Sequence, residues 1–413
     1  MRHPYDGGLG ANLTVLRGHN AALVLGLLRD AGDEGASRLE LAEHTGLTPQ
    51  AVSKITARLR ADGLIAEAGH RPSTGGKPRT VLRLVRGARG AVGLHLDRDR
   101  LTAVRTDLTG EPLAVRETPL DLGAGAEAVL DAAVAEVTAL LAGDAGDVRD
   151  AGGARGARDV RDAGDARGAR DLGDAGEGTT GAVLGVGVAA PGPLDHASGV
   201  LRRVTGFPDW DGYPLRDALA ERLGLPVVLD KDTNAAALGL ALRAADVPGA
   251  AESFAYLHLG TGLGAGLVLG GGVYRGARTD AGEFGHQVIQ LDGPRCGCGN
   301  RGCIEALCLA AAANGDTAQA ARLLGVGAAN LVRLLDIDRV LLGGRTVLAA
   351  PGPYLRGVRE ALTEEAARRG GPAVPVAVAG HGGRAVVEGA AQLVLAPLFA
   401  RRMRRGREDR EDR

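Results

Sequence analysis

The chain has 413 residues and a mass of 42.0 kDa, enough for two or three domains, each able to bury its own core, at roughly 100 to 200 residues apiece. Its 49 Lys and Arg against 50 Asp and Glu leave a formal charge of -1, which excludes a global pull toward nucleic acid or membrane and directs attention to local charge. Gly accounts for 66 residues without the three-residue period of collagen, and Lys54, Lys77 and Lys231 are the only lysines, a bias that reads as base composition rather than function.

No apolar run approaches the roughly 18 to 20 residues of a membrane span, and the N-terminus lacks the segments of a secretion signal. The expectation is a soluble cytoplasmic protein. Residues 1–90 carry 13 basic and 8 acidic side chains, but residues 48–90 carry 9 against 2, so a basic patch lies near the N-terminus. Within it, LELAEHTGLTPQAVSKITARLRADGLI predicts a helix ending near Thr45, a turn at Gly46, and a second helix capped by Thr48 with Pro49 at its first position. This is a helix-turn-helix pattern. Val52, Ile55 and Leu59 share the packing face of the second helix, whereas Gln50, Ser53, Lys54 and Ala57 recur on the other. Gln50 and Lys54 are long donors suited to base edges, Ser53 and Arg58 to phosphates, and Ala57 permits close approach. Two short strands near 64–66 and 80–84 flank GGKPR, whose Lys77 and Arg79 make a basic wing for a minor groove.

Downstream, VGLHL, a strand near Leu101 to Thr106 and a helix near Glu127 to Leu141 open an α/β body. Residues 143–180 interrupt it with a run of Arg, Asp, Ala and Gly almost devoid of large apolar side chains, which reads as a disordered low-complexity insertion. The α/β pattern resumes with VLGVGVAA, a helix near Leu215 to Leu223, PVVLD, a helix from about Asn234 to Ala244, AYLHLG and GLVLG. It closes with helices around Ala318 to Leu335 and Val386 to Leu398 that flank RVLLGG. The last stretch, residues 401–413, reads as a charged tail.

The strongest motif is AGEFGHQVIQLDGPRCGCGNRGCIEA. His286, nine residues, Cys296, one residue, Cys298, four residues and Cys303 offer one imidazole and three thiolates, the donor set of a closed structural zinc site with no open position for hydrolysis; a chance loop cluster is the alternative. Cys308 falls in the following helix and reads as a small core residue.

This motif, with LGTGLGAG from Leu259 to Gly266 and DKDTNAAALG, resembles the ROK family of repressors and sugar kinases over nearly the whole chain. The resemblance implies an N-terminal winged helix-turn-helix domain over residues 1–88 and, over residues 89–400, an actin-like (sugar kinase/Hsp70-type) two-lobed α/β body. Members with the added winged helix are typically sugar-responsive regulators. Where kinases of the family read DxGxT, this chain reads HLDRD: His95 replaces the first Asp, Asp97 the close-approach Gly and Asp99 the Thr. Side-chain bulk and two carboxylates both oppose a polyphosphate. The resemblance also assigns Asp232, Glu283, His286 and Glu305 to sugar contact, Asp232 as a vestigial base. Lys231 and Gly206 depart from the family's Asn at those positions; Lys231 either pairs with Asp232 or admits an acidic or phosphorylated sugar. The expected function is a homodimeric, operator-binding repressor of carbohydrate genes with a sugar-type effector and structural zinc. The alternatives are an ATP-dependent sugar kinase with a DNA-binding arm and a constitutive DNA-binding protein whose cleft has decayed.

Overall fold

The computed structural model describes residues 13–71, 79–143, 182–244 and 252–399. Lys77, all but the first residue of the run expected to be disordered, and the arginine-rich tail lie outside them.

Three helices and a small sheet form the N-terminal unit: α1 (Leu13–Asp30), β1 (Ala36–Ser37), α2 (Arg38–Thr45), α3 (Pro49–Ala61), β2 (Ile65–Arg71) and β3 (Arg79–Leu84), with strand order β1-β3-β2. Local chemistry fixes the helix ends. Ser37 and Glu40 form a reciprocal capping box at the start of α2, and Gly46 ends it in the left-handed conformation, φ 71°. Thr48 Oγ1 accepts a hydrogen bond from Ala51 N at 3.2 Å, with Pro49 leading α3. Val52, Thr56 and Leu59 are buried; Thr56 joins the packing face because its hydroxyl donates to Val52 O at 2.9 Å. The wing strands run longer than the sequence suggests.

The body holds two sheets of the same design. The first contains β4 (Arg89–Leu96), β5 (Arg100–Asp107), β6 (Pro112–Pro119), β7 (Ala182–Ala190) and, beyond a short β8 (Leu194–Asp195) and β9 (Val200–Leu201) hairpin, β10 (Val227–Lys231), in the order β10-β7-β4-β5-β6. The second contains β11 (Phe254–Leu259), β12 (Leu263–Leu269), β13 (Gly272–Val273), β14 (Arg339–Gly343) and β15 (Val376–Val378), in the order β13-β12-β11-β14-β15. Each is an antiparallel three-strand meander extended by two parallel strands. Helices α4 (Ala126–Ala142) and α5 (Leu215–Leu223) build the first core with Val92, Leu94, Val188 and the buried Trp210. Helices α7 (Ile304–Ala313), α8 (Thr317–Leu335), the short α9 (Arg345–Ala349) and α10 (Pro351–Arg369) build the second with Leu257, Leu342 and Tyr354.

Two further helices, α6 (Asp232–Ala244) and α11 (Ala385–Leu395), lie between the sheets and pack on each other. Their approach requires glycine: a Cβ on Gly389 would stand 2.0 Å from Ala235 O, and one on Gly187 would stand 1.8 Å from Ala390 O. Leu395 at the end of α11 and Phe399 beyond it join Val24, Leu25 and Leu28 of α1 in one apolar cluster, and the Arg29 guanidinium sits 4.7 Å from the Phe399 ring. The winged helix and the body therefore share a core. Elements α1, β6 and α10 are not anticipated by the sequence pattern; among the described residues no helix is long and apolar enough to cross a membrane.

Candidate functional site

Because β4, β7, β10 and β11 all deliver their carboxyl ends to one edge, their terminal residues converge on a cleft between the lobes, the usual place for a ligand in parallel α/β architecture. The cleft encloses about 630 Å³ of empty space open to solvent. Asp232, Glu283, His286 and Glu305, which lie up to 73 residues apart, all line it. Asp232 opens α6 and its Oδ1 accepts from Thr233 N at 2.6 Å. Glu305, in the first turn of α7, is buried, and its Oε2 accepts from Leu263 N at 2.9 Å. That bond ties α7 to the Gly-rich turn.

Lys231 is placed differently from the simpler expectation. Lys231 ends β10 and Asp232 begins α6, and the Lys231 side chain takes partners other than Asp232. The Lys231 ammonium donates instead to Ala281 O at 2.6 Å and Glu283 Oε1 at 2.9 Å, with its side chain only 3% exposed. The buried charge is thereby compensated, and Glu283 keeps its second oxygen, 4.0 Å from His286 Nε2. Beside it, Asp230 is fully buried and accepts from Arg275 Nε at 2.7 Å and Asn234 Nδ2 at 2.9 Å, a bond between the two lobes. Sequence reasoning gave no role to Asp230, although it opens the DKDTNAAALG segment, and passed over Arg275, which belongs to no motif.

At the position of the kinase phosphate turn, three residues follow β4. Asp97 accepts from its neighbour Arg98 N at 2.7 Å and from Thr261 Oγ1, in the Gly-rich turn of the other lobe, at 2.8 Å. Burial pulls the Asp97 carboxyl upward, but the charge of His95 and these two hydrogen bonds outweigh it and leave the group below the ordinary carboxylate value. Asp99 is held by Arg345 Nη1, 3.1 and 2.8 Å from its two oxygens. His95 is buried at the end of β4, and burial lowers its pKa against the pull of Asp232 and Asp97. His258 also lines the cleft, with its Nδ1 3.0 Å from the Oη of the buried Tyr256.

His286, Cys296, Cys298 and Cys303 form one group whose donor atoms all lie within 4.8 Å of one another and could hold a metal ion. His286 Nδ1 stands 3.7 Å from Cys296 Sγ, and Cys298 Sγ 3.7 Å from Cys303 Sγ. His286 thus turns one nitrogen to the thiols and the other to Glu283 and the cleft. Burial, followed by the neighbouring thiols, pushes Cys303 up to about 12, so a cation is what would make this set thiolate at neutral pH. Cys308 stays apart, buried in the second core with its thiol near Ala320 O at 3.6 Å.

On the winged unit, Gln50, Ser53, Lys54, Ala57 and Arg58 are exposed along α3, and Arg79 is exposed at the start of β3. Arg58 lies 3.8 Å from Asp62 one turn on, both exposed, a pairing too weak to withhold it from a phosphate.

The fold is a two-lobed α/β body with an N-terminal winged helix-turn-helix unit and a cleft between the lobes, and comparison with known proteins supplies the family. The ROK family matches residues 168–320, and a winged helix-turn-helix DNA-binding family matches residues 23–66. A ROK hexokinase from Thermus thermophilus is 31% identical, with 73% of this chain and 96% of that chain covered at a TM-score of 0.53. The chain belongs to the ROK family. A ROK family transcriptional regulator, homologous to the MLC protein of E. coli, shares the fold at a TM-score of 0.69 and 22% identity, with 93% of this chain and 96% of that one covered. A putative xylose repressor from Caldicellulosiruptor sp. (strain Rt8B.4) is 27% identical over 294 residues, 71% of this chain; the match spans 64% of that repressor's length.

Proposed function

We propose that this chain is a sugar-responsive transcription regulator, a repressor of carbohydrate genes that binds operator DNA as a cytoplasmic homodimer and holds one structural zinc. The observation that carries the reading is the cleft itself. Its sugar side keeps Asp232, Glu283, His286 and Glu305, whereas its phosphate turn carries Asp97 and Asp99, bonded to Thr261 and Arg345 of the opposite lobe. Hydroxyl recognition needs donors and acceptors close together, and the first set supplies both. Phosphoryl transfer needs a turn that admits phosphate oxygens and a metal, and the second set fills that turn with negative charge. Asp232 accordingly acts as an acceptor for a ligand hydroxyl rather than as a base in turnover.

Gln50 and Lys54 read base edges, Ser53 and Arg58 take phosphates, and Lys77 and Arg79 extend from the wing toward a minor groove. The thiol spacing supports zinc: tetrahedral Zn–S bonds of about 2.3 Å put sulfurs about 3.8 Å apart, close to the 3.7 Å between Cys298 and Cys303. His286 would couple that ion to the cleft, since its two nitrogens face the two sites. The continuous core through α11 and α1 gives ligand binding a route to the reading head, provided the ligand favours one arrangement of the lobes.

The test is fluorescence anisotropy of the full chain on promoter DNA, with and without a panel of sugars, alongside a coupled assay for ADP. DNA binding released or strengthened by one sugar, with no ADP formed, is the expected result. Sugar-dependent ADP formation, abolished in Asp232→Asn, would promote the kinase reading instead.

A further inference from the structure

Helices α6 and α11 each leave one lobe and bed on the other. α6 continues from β10 of the first sheet but packs on β12 of the second, where a Cβ on Gly266 would stand 2.0 Å from Thr233 O. α11 follows β15 of the second sheet but packs on β4 and β7 of the first, where Cβ atoms on Gly93 and Gly187 would stand 2.1 Å from Val387 O and 1.8 Å from Ala390 O. Any rotation of one lobe against the other therefore moves α6 along α11.

The seam between the two helices is smooth. A Cβ on Gly239 would stand 3.1 Å from Gly389 Cα, and the cluster around them is largely alanine, with Ala235, Ala236, Ala385 and Ala390 all buried. Small residues leave few ridges to interlock, so packing alone fixes the register of the pair weakly. One directional contact crosses the seam: Arg243 Nη2, in the last turn of α6, donates to Glu388 Oε2 of α11 at 2.7 Å. Among the described residues it is the only side-chain hydrogen bond between these helices. Glu388 is buried, and its other partners, Arg384 Nε and His381 Nδ1, each at 3.1 Å, come from the segment leading into α11 itself.

From this geometry we infer that Arg243 is a positioning residue: its bond to Glu388 fixes where α6 stands on α11 and so passes the arrangement of the lobes to the winged-helix head. The inference rests on the sugar-responsive reading above and deepens it. The first turn of α6 carries Asp232 in the cleft, and its last turn carries Arg243. On α11, Val387 beside Glu388, with Ala391 and Leu395 one and two turns further on, belongs to the cluster that holds Val24, Leu25 and Leu28 of α1. A charge-assisted hydrogen bond suits the task because it weakens steeply when misaligned, whereas a seam of alanines tolerates a slide. Arg243 lies outside the cleft lining and outside α3. Its loss should leave both binding sites intact and remove their communication.

Hydrogen exchange of the full chain, read by mass spectrometry on peptides from α6, tests this on wild type, Arg243→Gln, Arg243→Lys and Glu388→Gln. The probe is a random-sequence DNA duplex at low salt, which a winged helix holds through phosphates whatever its operator. Coupling is reciprocal, so DNA on the head should slow exchange in α6 of the wild type about fivefold or more. Arg243→Gln and Glu388→Gln should bind the duplex within about threefold of wild type and slow α6 less than about twofold, and Arg243→Lys should restore part of the effect. Anisotropy on promoter DNA with D-glucose, D-xylose and N-acetylglucosamine should show a sugar-driven change in DNA affinity that both Gln variants lose.

Equal slowing of α6 in wild type and Arg243→Gln overturns the proposal, as does wild-type α6 exchange that DNA leaves unchanged or a sugar response retained in full by Arg243→Gln. Weaker DNA binding in Arg243→Gln and Arg243→Lys alike, in step with a fall in melting temperature, assigns the pair to stability alone and overturns it too. Arg243-dependent slowing of α6 without any sugar response keeps the positioning role and counts against the sugar-responsive reading.

Discussion

Asp99 and Arg345, 246 residues apart, meet across the mouth of the cleft with one guanidinium nitrogen 3.1 and 2.8 Å from the two carboxylate oxygens. Together with Asp97 and Thr261 they join the first lobe to the second beside the Gly-rich turn. Both partners are about half exposed, at 44% and 53%, so the pair contributes less than about 1 kcal/mol to stability. Its effect is on shape. Asp99→Asn should leave the melting temperature within a few degrees of wild type, and neither protein should form ADP with any sugar in a coupled assay. A large fall in melting temperature would show that the pair bears more load than exposed geometry allows.

Metal content offers a second check. Freshly reduced protein should carry about one zinc per chain by elemental analysis. Cys298→Ser should release it and weaken ligand binding, because His286 Nδ1 faces Cys296 while Nε2 faces Glu283. Protein that contains no zinc after preparation without chelator would remove the metal from the account.

DNA reading should divide along α3. Lys54→Ala should weaken the operator by about 1 to 3 kcal/mol, or roughly 5- to 150-fold, and random DNA much less. Arg58→Ala should weaken both alike and reduce the salt slope by about 1. Anisotropy at several salt concentrations distinguishes these outcomes, and equal losses for Lys54→Ala on every sequence would end its assignment as a base reader.

Acid should loosen the cleft through His95. Burial holds its pKa below the ordinary 6.5, so the folded protein binds fewer protons than the unfolded chain, and stability rises with pH across that interval. The contribution is complete above about 6.5 and is lost as pH falls toward the folded value. His95→Gln should cost stability at pH 7.5 and cost less at pH 5.5, a convergence visible in melting temperatures. The groups facing His95 are Asp232, Asp97, His258 and Arg100. A mutant whose deficit is the same at both pH values would mean that His95 is not buried neutral.

Ligand response and DNA affinity should separate at Glu305. Its carboxylate accepts from Leu263 N in the cleft and lies on the body, away from α3. Glu305→Gln should keep operator affinity within about twofold yet weaken the effector about 10- to 150-fold, the worth of a charge-assisted hydrogen bond of roughly 1.5 to 3 kcal/mol. Parallel loss of both activities would point to misfolding instead.

Much of this architecture is legible where local chemistry decides it. Gly46, Thr48 and Pro49 mark the helix-turn-helix because caps and turns are set within a few residues. The metal group is legible because its ligands fall within 18 residues. Helix α10 is not, since it opens with Pro351-Gly352-Pro353; this reads as a turn, although proline costs little in the first turn of a helix. Lys231 shows a different limit. Its partner, Glu283, comes from the other lobe 52 residues on, and no periodicity reports which of two nearby carboxylates a buried ammonium will reach. The partner of Arg243 is hidden for the same reason: a helical pattern gives the position of the backbone, and the tertiary surroundings decide where a long side chain goes.

The apolar cluster that joins Val24, Leu25 and Leu28 to Val387, Ala391, Leu395 and Phe399 makes the N-terminal head and the body a single cooperative unit. A head on a slack tether would melt independently and sample many orientations, and a ligand in the body could not steer it. If α3 enters a groove, its angle there depends on how α11 beds between the two sheets, because α1 packs on the end of α11 in that shared cluster.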